Sequence, residues 1–450
     1  MAPRERPLSI IIVGGSLSGL MCGISLKHAG HSVTIIEKDD DKRQSHMAGV
    51  CLGIDGENWL SRHDRHTKSF FTHRSNRVQL LKEDGTLQIL VNVRRDITNW
   101  DTLYYRLRSL FDGYRSAWYP SPPPTVDTDG LVTYESRKEV LSVASIEDIE
   151  EKSKVILEVR DCKTENVSVT EADLVIAADG PNSSIRAKYL PNVRRKYVGY
   201  VAWRGTVPEN EVSPSTRQIF ERSVTVHRMS GRHHCLVYTI PGNHGTLTPG
   251  ERYLNFLWYT RESSQALEEI MKDGIDGHRH HYVAPRGRVR EDVWRARVRH
   301  AEEIPFPAPF LDIITKIQQP FIQVVTEFCS PRAAFENGRV LLLGDGLSLF
   351  RPHTAFSGTQ AAFHALMTED YISGKIPLSD WEEKVLRYSR LHWSQSMFWG
   401  EFYQNYLVIA LFYLVHYWIY CIIDVSKAYW KKEKVLLRTS SHVVEEYDLD

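Results

Sequence analysis

Residues 9–37 read SIIIVGGSLSGLMCGISLKHAGHSVTIIE, and the fold is decided there. Ser9 to Val13 is a short β-branched run, the pattern of a buried strand. Gly14-Gly15-Ser16-Leu17-Ser18-Gly19 approximates Gly-x-Gly-x-x-Gly, with Ser16 in the second glycine position. Leu17, Leu20, Met21 and Ile24 then share one helical face, Gly19 and Gly23 permit close packing, and Gly30 stops the helix. Val33 to Ile36 is a second buried strand ending at Glu37. Right-handed crossover makes the two strands parallel. Gly14 permits the tight turn, and the helix N-terminus presents free N–H groups and a positive dipole end to a pyrophosphate. Ser16 adds a Cβ where backbone must approach phosphate, but its hydroxyl can donate a compensating hydrogen bond. Glu37 lies 23 positions beyond Gly14. That is the spacing of an acid that holds ribose hydroxyls and repels a 2′-phosphate.

The rest of the chain is read outward from this unit. Its 450 residues are enough for about two domains. Lys+Arg equals Asp+Glu at 56 each, so no global field draws nucleic acid, and none is expected as a partner. The six cysteines are scattered with no Cys-x-x-Cys pair, which predicts reduced thiols, no metal framework and a cytosolic catalytic domain. Arg4 and Arg6 before an apolar stretch imitate a secretory signal, but Gly14, Gly15, Ser16, Ser18 and Gly19 break it. From Tyr197 to Tyr259, runs such as Gly199–Thr206, Cys235–Ile240 and Leu254–Tyr259 alternate with Gly and Pro turns, predicting a mostly antiparallel sheet. Tyr119–Pro124 is a stiff, proline-rich connector, and Val340–Leu343 is a late strand that completes the first domain.

The expected architecture is therefore α/β. Residues 1–190 begin a Rossmann-type domain, 191–330 form an interleaved sheet domain for substrate, 331–400 complete the first, and 401–450 are an apolar helical extension. Within the last, residues 402–423 carry no formal charge and precede Lys427, Lys431, Lys432 and Lys434. The stretch is long enough to cross a bilayer, aromatic enough to lie at its interface, and equally able to pack on the domain or on a partner subunit, a homodimer included.

Two further segments carry a resemblance. Asp173–Arg186, with Asp179-Gly180, looks like the Asp-Gly segment of FAD-dependent aromatic hydroxylases; Gly338–Gly346, with Asp345, followed by Arg351-Pro352-His353, looks like their Gly-Asp segment. The chain thus resembles the para-hydroxybenzoate hydroxylase superfamily over about residues 8–400. Within it, the 2,6-dihydroxypyridine 3-hydroxylase-like branch shares the Gly-Gly-Ser-Leu turn, Gly199–Gly205, the Leu254–Tyr259 strand and the Arg-Pro-His triplet. The resemblance implies FAD held by Gly14, Gly15, Ser16, Gly19, Glu37, Arg43, Asp179, Gly180, Asp345 and Pro352. Asp345 would accept hydrogen bonds from ribityl hydroxyls, Asp179-Gly180 would lie near the pyrophosphate groove, and Pro352 would line the flavin ring. Phe363-His364 and Ser357-Gly358 depart from the family pattern, which bears on how the flavin is positioned.

The implied activity is hydroxylation of an electron-rich phenolic or N-heteroaromatic small molecule in secondary metabolism, with NADH or NADPH as reductant and O₂ as oxygen source. Arg204 is the candidate cation that lowers the pKa of the substrate oxygen, and Tyr238 the candidate second donor. A structural ion pair and a core aromatic are the plain alternatives. His353 is either a proton relay or a support for the Arg351-Pro352 turn, the support being favoured. His278, His280 and His281 cluster in a basic loop, read as solvated, and no metal site is assigned. Two other readings remain: a membrane-associated epoxidase of an isoprenoid-bearing substrate, and a non-catalytic flavin-binding scaffold. The expected location is the cytoplasm, or the cytosolic face of a membrane held through the C-terminal segment.

Overall fold

The computed structural model describes residues 7–41, 48–146, 154–229, 233–433, 435–436 and 442–443. Ser9–Val13 pairs in parallel with Ser32–Ile36 on one side and Leu174–Ala177 on the other. The sheet extends through Val132–Glu135 at one end and Val340–Leu342 at the other, all parallel, with Ala334–Phe335 added antiparallel beyond it. The late strand thus sits two places from the first. Such a sheet must be covered on both faces. Helices Leu17–His28, Trp100–Asp112 and Ser357–Ile372 pack on one side. On the other, the antiparallel strands Lys138–Ile146, Lys154–Asp161 and Val167–Ala172 bring Val140, Val143, Val155, Leu157 and Val159 into the same core.

The second sheet is larger than the sequence reading. Its centre is the expected set, Lys196–Pro208, Tyr253–Arg261 and His233–Ile240, with Phe321–Cys329 added beside the first as a strand outside that expectation, all antiparallel. Ser223–Met229 continues it, and then His73–Leu81 joins in parallel, followed by Leu87–Asn99. Residues 73–99 therefore belong to this sheet although they precede the close of the first. The hairpin between them turns at Asp84-Gly85, where Gly85 has φ +84° and the Asp84 carboxylate accepts the Thr86 N–H at 2.9 Å. One sheet face buries Trp203, Phe256, Trp258 and Val237 against the helices Glu291–Glu303 and Ala308–Ile314. The opposite face, with Tyr200, Ala202, Leu257 and Tyr259, looks toward the parallel-sheet domain.

The C-terminal part is two antiparallel helices rather than one apolar segment. Leu378–Gln404 ends where Asn405 turns extended, and Leu407–Lys431 runs back along it. Residues 402–404 therefore belong to the preceding helix, where Gln404 is buried and hydrogen-bonded to His234 at 2.8 Å.

Candidate functional site

A cleft of about 750 Å³ opens where the two sheets meet. Its floor begins at the glycine turn. Gly14 has φ +101°, and a Cβ there would fall 2.3 Å from the Ala178 carbonyl oxygen, so the turn requires glycine. A Cβ on Gly19 would meet the Gly14 carbonyl at 1.9 Å, so this glycine seats the helix against its own turn. Gly15 is closed off by Tyr134, whose hydroxyl donates to the Gly15 carbonyl at 3.1 Å. Ser16 caps the helix with its hydroxyl unspent on any cap hydrogen bond, and it faces the cleft. Helix Ser357–Ile372 also points its N-terminus into the cleft without a side-chain cap, so two sets of unsatisfied N–H groups converge on the same space.

Acids line the length of the cleft. The Glu37 carboxylate accepts from Gly15 N–H at 2.7 Å and Asp39 N–H at 2.8 Å, which fixes it at the strand end. Both carboxylate oxygens of Asp179 and one of Asp345 are buried and lack a hydrogen-bond partner. Burial raises the carboxyl of Asp179 and pushes that of Asp345 up to about 6. Buried carboxylate oxygens left without donors are costly unless a ligand supplies them. Hydroxyl donors along a dinucleotide fit these positions, and the glycine turn with its two helix ends fits a diphosphate. The donor set and cradle therefore suit FAD.

Of the residues expected to hold FAD, Gly14, Ser16, Glu37, Asp179, Gly180, Asp345 and Pro352 line one cleft. Gly15 and Gly19 shape the turn from behind. Arg43 lies outside the described residues. Arg204 and Tyr238 line the same cleft from the second sheet. Arg204 donates from Nη1 to Gln323 Oε1 at 2.8 Å and leaves Nε buried without a partner. Tyr238 lies across from Asn255 in register, and burial raises its phenol. His353 is not part of the lining. Its Nε2 is 2.9 Å from the Tyr200 hydroxyl, and its ring packs among His234, Tyr259 and Tyr403. Burial, then the Arg351 charge, pushes it down to about 3, so the ring is neutral.

The two departures from the family pattern separate. His364 does not reach the cleft: its Nδ1 accepts the Gly344 N–H at 3.0 Å, pinning the turn that carries Asp345, and burial lowers it to about 3. Phe363 stacks on Tyr388 at 4.0 Å. Replacing His364 with Leu is expected to leave that N–H unpaired at a cost of about 1–3 kcal/mol, read from denaturant midpoints; an unchanged midpoint would exclude the role. Ser357 and Gly358 do line the cleft.

Several lining residues escaped the sequence reading. Trp100, Gly49 and Val50 come from the 49–51 strand and the helix start beside it, and Lys138 and Glu139 from the three-stranded sheet. None sits in a motif; only the fold brings them in. In the basic loop, His278 and His280 approach Asp273, but Arg288 also reaches Asp273 at 3.4 Å and occupies part of the carboxylate. His281 is not part of that group.

This fold and cleft resemble those of the FAD-dependent aromatic hydroxylases, and comparison with known proteins bears the resemblance out. Residues 197–327 match the family model described as FAD binding domain-like. Among individual proteins, the chain is similar to 2,6-dihydroxypyridine 3-monooxygenase of Paenarthrobacter nicotinovorans, 25% identical over 383 residues covering 84% of this chain and 87% of that protein. The solved structure of 2,6-dihydroxypyridine-3-hydroxylase from Arthrobacter nicotinovorans shares the fold with TM-score 0.74, at 24% identity over 90% of this chain and 94% of that one. Klebsiella pneumoniae HpxO, solved with FAD and uric acid, shares it with TM-score 0.63, at 14% identity over 90% and 91%.

Proposed function

We propose that this chain is an NAD(P)H-dependent monooxygenase that places one oxygen atom of O₂ on an electron-rich phenolic or N-heteroaromatic ring. The observation that carries the reading is Arg204, a buried cation with an unspent N–H, facing the cleft from the second sheet while Asp345 and Pro352 face it from the first domain. FAD, when bound, would supply the redox chemistry with O₂ and the reductant. Asp345 and Asp179 would accept its hydroxyl hydrogen bonds, and the helix N-termini at Leu17 and Ser357 would face its charge.

The substrate chemistry rests on the sheet. A guanidinium beside a ring hydroxyl favours the oxyanion, which enriches the ring in electrons where oxygen is to be added. Gln323 orients that guanidinium through Nη1 and leaves Nε available. Tyr238, its phenol raised by burial, stays protonated at neutral pH and can donate to the same oxygen. His353 supports the cleft through Tyr200 and carries no charge there.

The test is NAD(P)H consumption across phenols, pyridinols and prenylated aromatics, with product masses. A gain of one oxygen on unprenylated rings supports the reading; no substrate-stimulated consumption by FAD-loaded protein overturns it. Arg204→Met is expected to raise KM about tenfold and to move the rise of kcat/KM about one pH unit upward, because the substrate must then ionise unaided. An epoxidase of an isoprenoid-bearing substrate is the second reading, favoured by one observation, the exposed apolar face of Leu407–Lys431. Oxygen gain confined to the prenyl chain would select it.

A further inference from the structure

Helix Leu407–Lys431 has two unlike sides. The inner side is locked lengthwise to helix Leu378–Gln404. His416 Nδ1 is hydrogen-bonded to Ser394 Oγ at 2.7 Å, Asp424 pairs with Arg387 at 3.1 Å, and Lys427 and Lys431 both reach Glu383, at 2.7 and 2.6 Å. The outer side carries Val408, Phe412, Val415, Ile419, Ile422 and Trp430, each at least half exposed, with Phe412 at 68% and Trp430 at 82%. Val408 to Ile422 follow one another at spacings of three and four residues, a straight stripe about 21 Å long at 1.5 Å per residue, with Trp430 on the same face eight residues further on. Isolated exposed apolar residues are ordinary, but a contiguous stripe of this length marks a contact surface.

The geometry points to a lipid bilayer surface as the occupant, with the helix lying in the plane of the interface. A crossing is disfavoured by the partner helix, which is docked along the full length and carries Asp380, Glu382, Glu383, Lys384, Arg387 and Arg390. Lipid can reach only the outer stripe. Exposed Tyr406 at one end and Tyr429 and Trp430 at the other are amphipathic rings suited to the headgroup boundary. Charge decides between lipid and a second copy of the chain. Lys432 is exposed at one end, beside Lys427 and Lys431, which are paired with Glu383, while the sequence from 402 to 432 contains a single acid, Asp424, which is buried on the inner side. A second copy's stripe therefore offers Lys432 no counter-charge, in parallel or antiparallel pairing. Anionic headgroups do, and attraction to them adds to apolar burial.

The experiment uses the full chain loaded with FAD and sedimented with vesicles of phosphatidylcholine alone or with phosphatidylserine. The expected result is partition onto both, at least tenfold stronger with phosphatidylserine and reduced by salt. The double variant Phe412→Glu/Ile419→Glu should lose vesicle binding at least tenfold while keeping its FAD fluorescence and melting curve. Lys432→Glu should lose part of the phosphatidylserine preference. The proposal is overturned if the wild type stays in the supernatant with both vesicles. It is equally overturned if lipid-free protein sediments as a dimer that the double variant dissociates, or if vesicles shield the residues after 432 from external protease. Flavin content is measured in every arm, so failure of the lipid seat and failure of the flavin reading give different results.

Discussion

Replacing Arg351 with Met is expected to destabilise the fold by about 3–5 kcal/mol, the range for removing one partner of a buried ion pair. The guanidinium is 3% exposed. It donates from Nε and Nη2 to the two carboxylate oxygens of Glu327, at 2.7 and 3.1 Å, and from Nη1 to Glu401 Oε1 at 2.8 Å. Glu327 belongs to a strand of the second sheet, Glu401 to helix Leu378–Gln404, and Arg351 to the loop that positions Pro352. One cation thus joins three parts of the chain beside the cleft. Gly400 is fitted to it: a Cβ there would lie 2.7 Å from Arg351 Cδ. Met keeps most of the side-chain volume and leaves two carboxylates buried without their cation. The triple variant Arg351→Met/Glu327→Leu/Glu401→Leu should recover most of the loss, since an apolar replacement of a whole buried ionic group is often near neutral. Urea midpoints of the three proteins decide it. A loss below about 1 kcal/mol in Arg351→Met would show that the triad does not tie these elements together.

What the sequence made legible follows from how local each signal is. The first strand, glycine turn, helix and Glu37 could be read because their chemistry lies within 29 consecutive residues, 9 to 37, and the structure seats them as one unit. Asp179 and Asp345 were legible only through the family pattern, since nothing at either position says that both face one cleft. The hairpin 73–99 was missed although Asp84-Gly85 is a turn signal, because its strands are rich in Arg, Asn and Gln and lack clean alternation. Trp100 and Lys138 could not have been found: they reach the cleft only through sheet order. His364 reads as a departure in one dimension and as a backbone anchor in three. The run at 402–423 is charge-free across a helix break: Gln404 and Asn405 interrupt its hydropathy, but two polar residues do not by themselves say that the backbone turns extended at Asn405.

Asp345 connects the fold to its cofactor through pH. Burial pushes its carboxyl from 3.8 up to about 6, with Ser357 and the more distant Arg195 only partly opposing. A raised acid favours the fold when protonated: its contribution is fully present below about 4 and is lost as pH rises through 6. FAD-free protein should therefore lose stability across that window. Hydroxyl donors stabilise the ionised form, so FAD binding should show the opposite trend and tighten as pH rises through the same interval. If the bound state returns the carboxyl to its ordinary value, affinity between pH 4 and 7 should rise about a hundredfold, the ratio set by roughly two pKa units. Asp345→Asn should bind FAD about a hundredfold more weakly at pH 8 and lose most of the pH slope. Asp179, raised by burial in the same direction, accounts for the slope that remains. Flavin fluorescence titrations of both proteins from pH 4 to 8 supply the measurement. A wild-type affinity that is flat across this range would show that Asp345 does not accept hydrogen bonds from the bound cofactor.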